Sequence, residues 1–230
     1  MISKPLVLTK VHIPDQKKDW IVRKSLIKQL NDGLNSSITL LSTPAGYGKT
    51  SLLSAWAHQL QYPIAWMTVD EADNDPVRFL TYFIESLNLL DSHLGQGLIP
   101  TLQIPQNSDI ELIILTLMNQ IFTLGEKFVF IFDDFHYLNS LAIINLINYL
   151  VNNQVPNLHL VFSTRIDPPI PLARLRGRGQ LNELRQTDLQ FNQEESASVI
   201  RNIYGEDLLP DEISALIRRT EGWITGIKLA

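Results

Sequence analysis

One stretch constrains this chain more than any other: Thr43-Pro44-Ala45-Gly46-Tyr47-Gly48-Lys49-Thr50. It lies between the apolar run Ile38-Thr39-Leu40-Leu41-Ser42 and the helical pattern Ser51-Leu52-Leu53-Ser54-Ala55-Trp56-Ala57. A strand, a glycine-containing loop ending in Gly-Lys-Thr, and a helix in immediate succession form the setting of a phosphate-binding loop. Gly46 and Gly48 let the backbone take positive φ and come close to a ligand. The amides from Ala45 through Gly46, Tyr47, Gly48, Lys49 and Thr50 to Ser51 then face a polyphosphate, whose charge a helix N-terminus favours. Lys49 is placed to reach the β- and γ-phosphates, and the Thr50 hydroxyl to ligate Mg²⁺. The first position departs from the GxxxxGK[ST] form, with Thr43 standing where glycine is usual.

The succession continues as strand, helix, strand. Residues 63–70 predict a second strand after a short connection, and a βαβ unit of this kind implies an α/β fold with parallel pairing and a right-handed crossover. The acidic segment Asp70-Glu71-Ala72-Asp73-Asn74-Asp75-Pro76 has two readings. It is a loop ending in a helix cap, with Asp75 as N-cap and Pro76 at the first helical position, or a set of carboxylates near a metal at the crevice. Helices are predicted from apolar spacing at Leu26, Ile27, Leu30 and Leu34, over 77–90 and over 109–124. An extended lead over 6–13 and a long loop over 91–108 are expected as well.

Lys127-Phe128-Val129-Phe130-Ile131-Phe132-Asp133-Asp134 is the second site element. Five apolar residues in a row suit a strand buried on both faces. Two carboxylates at its end are costly in a core but well placed at a crevice rim, about 80 residues beyond the loop. This is the Walker B form, in which Asp133 holds the Mg²⁺ that Thr50 also binds, and Asp134 orients the attacking water. A further buried strand over 157–165 ends in Arg165, a cation suited either to sensing the γ-phosphate or to bridging a loop carboxylate. Arg174, Arg176 and Arg178 form a local basic patch: a nucleic-acid contact, a phosphate lid, or a solvated turn. A last strand is predicted over 182–189, followed by helices over 193–204 (with Asn192 as cap), 210–220 and 222–230.

The chain has 230 residues, is 45% hydrophobic with net charge −5, and contains no cysteine. That excludes disulfides and cysteine metal sites, agrees with a cytoplasmic location, and argues against a surface that binds nucleic acid throughout. Neither a membrane span nor a secretory signal is indicated. The last amphipathic pattern stops without a terminator, so a longer polypeptide is expected.

Beyond these separate signals, the strings Thr9-Lys10-Val11-His12-Ile13-Pro14, Ser42–Thr50, Asp73-Asn74-Asp75-Pro76-Val77-Arg78-Phe79, Asp133-Asp134-Phe135-His136, Pro171-Leu172-Ala173-Arg174-Leu175-Arg176 and Thr220-Glu221-Gly222-Trp223 occur in collinear order. Together they resemble the MalT-like regulators, LuxR-type bacterial transcriptional activators of the STAND class of P-loop ATPases. Members of that family commonly lack the first Walker A glycine. The resemblance implies a P-loop NTPase of the ASCE/STAND type: a five-stranded parallel sheet with flanking helices, the Walker B and sensor strands next to the P-loop strand, and the start of a C-terminal helical domain. Domain bounds of 1–35 for an arm and helix, 36–191 for the ATPase core and 192–230 for the helical domain follow. It also implies ATP/ADP and Mg²⁺ as ligands, self-association in the full-length protein, and DNA binding only through a C-terminal module that this stretch lacks. Lys49, Thr50, Asp133 and Arg165 carry over as the Walker A lysine, metal hydroxyl, Walker B aspartate and sensor arginine, and Val22 and Arg23 as residues beside the adenine. The alternative is a stand-alone P-loop phosphotransferase using the arginines as a lid.

Overall fold

A computed structural model describes residues 6–16, 20–102, 110–205 and 209–229. The expectation over residues 103–108 of the long loop lies outside the described residues.

Strands β1 (Ile38–Ser42), β2 (Ile64–Thr68), β3 (Phe128–Asp133), β4 (Leu158–Thr164) and β5 (Leu181–Arg185) make one sheet in the order β2-β3-β4-β1-β5, parallel throughout. The helices are α1 (Lys24–Gly33), α2 (Lys49–Ala57), α3 (Pro76–Asn88), α4 (Leu98–Leu102), α5 (Ile110–Thr123), α6 (Leu141–Asn152), α7 (Leu172–Gly177), α8 (Gln186–Leu189), α9 (Gln193–Tyr204), α10 (Pro210–Thr220) and α11 (Ile224–Leu229).

The continuous apolar runs of β1, β3 and β4 are buried at every position, as a strand covered on both faces requires. Period-two alternation sorts their side chains onto two cores. Phe128, Phe130 and Phe132 of β3 join Phe79 and Phe83 of α3 on one face, where Phe132 stacks on Phe162 of β4 at 5.5 Å. Val129 and Ile131 turn to the other face and meet Leu53 and Trp56 of α2 and Leu30 of α1. A smaller cluster of Val199, Ile200, Ile213 and Ile227 holds α9, α10 and α11 together, with Ile21, Phe191 and Ile224 against it.

The sheet corrects one expectation drawn from the resemblance. The strand carrying Arg165 is the neighbour of β1, but the Walker B strand β3 is not, because β4 lies between them. From β1 the chain crosses to the far edge at β2, steps back through β3 and β4, and places β5 on the other side of β1. So β1 and β2 are parallel members of one sheet without touching. The lead over residues 6–13 is not extended throughout: Leu8–Lys10 is a 3₁₀ turn, with the backbone amide of Lys10 donating to Val7 O at 3.0 Å. The last strand is shorter than expected. It ends at Arg185, whose amide donates to Asp188 Oδ2 at 2.7 Å, and a helical turn, α8, takes over. The loop after α3 contains α4.

Candidate functional site

Gly46 and Gly48 take φ of 81° and 80°, and Gly48 is the N-cap of α2. Thr43, by contrast, still belongs to the sheet ladder: it is buried, its amide donates to Thr164 O at 3.2 Å, and it takes no positive φ. A glycine has no conformational task at that position. Lys49 Nζ donates to Thr43 O at 2.7 Å and to Pro44 O at 3.0 Å. Burial holds its pKa below the ordinary lysine value, against the raising influence of Asp134 and Asp133 and with a further lowering by Arg165. A polyphosphate in the loop would offer this ammonium stronger acceptors than two carbonyls.

The Thr50 hydroxyl donates to Asp133 Oδ2 at 2.8 Å, so the last residue of the loop and the last of β3 meet directly across the crevice. Asp133 is 1% exposed and its Oδ1 has no hydrogen-bond partner. Burial pushes its pKa up; the Ser163 hydroxyl, itself without a partner in hydrogen-bond geometry, and Thr50 act in the opposite direction. A buried carboxylate with one oxygen orphaned is expensive to maintain, and a divalent cation is the group that would relieve it. Mg²⁺ is commonly held by one or two protein oxygens together with substrate phosphates, and Thr50 and Asp133 would offer such a pair.

Asp134 follows with φ 58° in the left-handed region and opens a 3₁₀ turn, Phe135–Tyr137. His136 Nδ1 stands 3.7 Å from Asp134 Oδ1, and both ring nitrogens are buried without a hydrogen-bond partner. Burial lowers the His136 pKa, partly opposed by Asp134, while Arg165 and Lys49 lower it further. Arg165 is exposed, lies over the Tyr137 ring at 6.0 Å, and pairs with no carboxylate among the described residues. Of its two expected roles, the loop salt bridge is not formed.

The acidic segment resolves as structure. Asp73 is fully buried and paired with Lys10 and with Arg78, whose Nε is 2.9 Å away; Asp70 accepts from Lys10 at 2.7 Å, and Asp75 caps α3 by accepting the Arg78 amide at 2.7 Å. None is left for a metal. Two arginines of the basic patch are engaged by other side chains. Arg176 forms a fork with Glu183, and Arg174 bonds Asn152 at the C-terminal end of α6. These contacts take up two of the three arginines that a phosphate lid would use.

Beside the loop is a cavity of about 280 Å³ whose lining includes Trp20, Ile21, Tyr47, Ser51, Phe191 and Ile224. Arg23 also borders it, but its guanidinium is occupied by Leu189 O, Gln190 O and a bidentate contact to Glu195. Val22 is 46% exposed and does not line the cavity; its neighbours Trp20 and Ile21 do. The far wall comes from the last helix. Trp223 Nε1 donates to Ala45 O at 3.1 Å, and the Thr225 amide and hydroxyl both donate to Gly46 O, at 3.3 and 3.1 Å. The string Gly222-Trp223 counted only towards the family resemblance, and no local pattern shows that it folds back onto residues 45 and 46.

No model of a protein family matches the chain. The HTH-type transcriptional regulator MalT of Yersinia enterocolitica is 30% identical over 97% of this chain, and its counterpart in Yersinia pestis aligns equally well. A Signal Transduction ATPase with Numerous Domains (STAND) protein with a tetratricopeptide repeat sensor, from Pyrococcus horikoshii, superposes over 95% of the chain with a TM-score of 0.66 at 22% identity. Over the stretch compared the chain is homologous to MalT, and it shares the fold of that P-loop ATPase. A Walker-type ATPase of Pyrococcus abyssi shares the fold, with a TM-score of 0.58 over 94% of this chain and 68% of its own at 18% identity. The stretch described here spans 25% of the length of the MalT relatives and 30% of the Pyrococcus horikoshii chain. The glycine loop and the carboxyl ends of β3 and β4 bring Lys49, Thr50, Asp133, Asp134 and Arg165 to one edge of the sheet. No helix among the described residues is long and apolar enough to cross a membrane.

Proposed function

We propose that this MalT-like chain is a nucleotide-operated switch: a cytoplasmic module that binds ATP and ADP, hydrolyses ATP slowly, and belongs to a transcriptional activator whose DNA contacts lie in another module. Residues 36–191 act as the nucleotide-binding core and 192–230 begin the helical domain that covers it. The observation that carries this reading is the Thr50–Asp133 hydrogen bond with Asp133 Oδ1 left orphaned. It is the pair a phosphate-bound Mg²⁺ needs, set directly beside the left-handed loop of Gly46 and Gly48.

In this reading the amides of residues 45–51 and Lys49 hold the β- and γ-phosphates, and the base lies in the apolar cavity next to Ser51. Mg²⁺, when bound, would neutralise phosphate charge between Thr50 and Asp133. Asp134 orients water, and Arg165, unpaired by any carboxylate, faces the terminal phosphate. The rival phosphotransferase reading loses its support with Arg174 and Arg176 engaged elsewhere. Titration calorimetry of ADP and ATP, with and without Mg²⁺, tests the proposal. Binding is expected for the wild type and its loss in Lys49→Ala; equal affinity in both proteins would overturn it.

A further inference from the structure

The loop that carries Asp134 and His136 is held by a side chain from another strand's end. Asn74 closes the 3₁₀ turn Glu71–Asn74 after β2. Its Nδ2 donates to Tyr137 O at 2.8 Å and to Glu71 O at 3.1 Å, and its Oδ1 accepts the amides of Asn139 at 2.7 Å and Ser140 at 2.8 Å. Two donors and two acceptor sites are what a carboxamide possesses, and the amide orientation that satisfies two carbonyls on one side and two N–H groups on the other is unique. Ser140, the N-cap of α6, makes no capping bond with its own side chain. Asn74 receives that end of the chain instead.

The loop needs an external hold. Asp134 is a non-glycine residue at φ 58°, a strained conformation that persists only where its surroundings over-determine it. Within residues 134–140 the internal bonds are those of one 3₁₀ turn, Tyr137 N to Asp134 O at 3.2 Å and Leu138 N to Phe135 O at 3.0 Å. Asn74 supplies the other three. Its own position is fixed from behind, because the preceding residue, Asp73, is buried between Lys10 and Arg78.

We propose that Asn74 is a positioning residue for hydrolysis: it holds residues 134–140 in the conformation that keeps Asp134 and His136 in the crevice, while Asp133, at the end of β3, does not depend on it. The proposal rests on the nucleotide reading above, and it separates two properties. Removing the carboxamide leaves the P-loop, Thr50 and Asp133 in place, so ADP and ATP bind as before. The turnover step alone suffers, because displacing a positioned group by about 1 Å costs on the order of 10²-fold in rate.

Three measurements on wild type, Asn74→Ala and Asn74→Asp test it: single-turnover ATP hydrolysis at saturating Mg-ATP, ADP affinity by calorimetry, and hydrogen exchange of the Asn139 and Ser140 amides. Asn74→Ala is expected to lose about 10²-fold in hydrolysis with ADP affinity unchanged and both amides deprotected. Asn74→Asp keeps the acceptors and so keeps the amide protection, giving an intermediate rate. Unchanged hydrolysis in Asn74→Ala, or parallel losses in ADP affinity and rate, overturns the positioning role. A wild type that binds no nucleotide overturns the nucleotide reading instead, and with it the catalytic half of this proposal, whereas the exchange result still shows whether Asn74 holds the loop.

Discussion

Strands β2 and β3 are neighbours in the sheet, both run into acidic residues at their carboxyl ends, and the two ends are built to opposite specifications. After β2 the three aspartates are matched, and only the exposed Glu71 carboxylate faces solvent. Asp73 lies between Lys10 and Arg78, Asp70 shares Lys10, and Asp75 caps α3. At the ends of β3 and β4 the polar atoms are buried and left short: Asp133 Oδ1, Ser163 Oγ and both nitrogens of His136 have no hydrogen-bond partner. Acidic composition at a strand end therefore says little about chemistry. What distinguishes a reactive end from a structural one is whether the fold has spent its hydrogen-bonding capacity internally or has left it for a ligand.

Three experiments break or sharpen this contrast. The largest effect is expected at the satisfied end. Asp73→Ala leaves Lys10 buried with only the half-exposed Asp70, and unpairing a buried ion costs about 3 kcal/mol. Urea unfolding should show that loss, while nucleotide affinity per folded molecule stays at the wild-type value. A coupled loss of affinity would mean that the β2 end takes part in binding after all.

The second experiment uses a satisfied but titratable group. His159 on β4 bonds Ser36 O and Thr39 Oγ1, both at 2.9 Å, and burial lowers its pKa from 6.5 to about 4. The unfolded chain takes up this proton first, so stability falls as pH drops from about 6.5 to about 4, by about 3 kcal/mol when complete. The difference in unfolding free energy between wild type and His159→Gln, measured from pH 7 to 4, should reproduce that slope. A constant difference would show that the imidazole does not stay neutral in the fold.

The smallest change is expected at the unsatisfied end, and with the opposite sign. Asp133→Asn removes a buried carboxyl that already resists ionisation and keeps an acceptor for Thr50. Thermal unfolding should show a gain of about 1 kcal/mol, of the kind seen when a strained functional group is replaced. The Mg²⁺-dependent part of nucleotide affinity should vanish. A loss of stability would place Asp133 with the structural carboxylates.

Local rules read well in this chain because their causes are local. The limits of β1, α9 and α10 follow from apolar runs and from caps such as Asn192. Asp75 and Pro76 announce the start of α3 by their own chemistry. Whether Asp73 faces a metal or a lysine, on the other hand, depends on Lys10 some 60 residues earlier, and no periodicity records such a meeting. Strand order is hidden for the same reason: β1 and β3 are buried at every position and fit equally well in any central slot. The cavity wall at Ile224 and Thr225, fastened to the loop by Trp223 and Thr225, is a contact across nearly the whole chain. It was the least legible part of the site.

That wall has a consequence for the loop itself. A peptide group is a rigid trans plane, so a carbonyl held from behind dictates where the N–H on its opposite edge is aimed. The plane containing Ala45 O also contains the Gly46 amide, and the plane containing Gly46 O contains the Tyr47 amide. Trp223 and Thr225 grip those two oxygens, and a methyl group added at Gly46 would lie 2.5 Å from Thr225 Oγ1. The last helix thus steers two of the dipoles an anion would meet, and a tilt of that helix would swing both of them together.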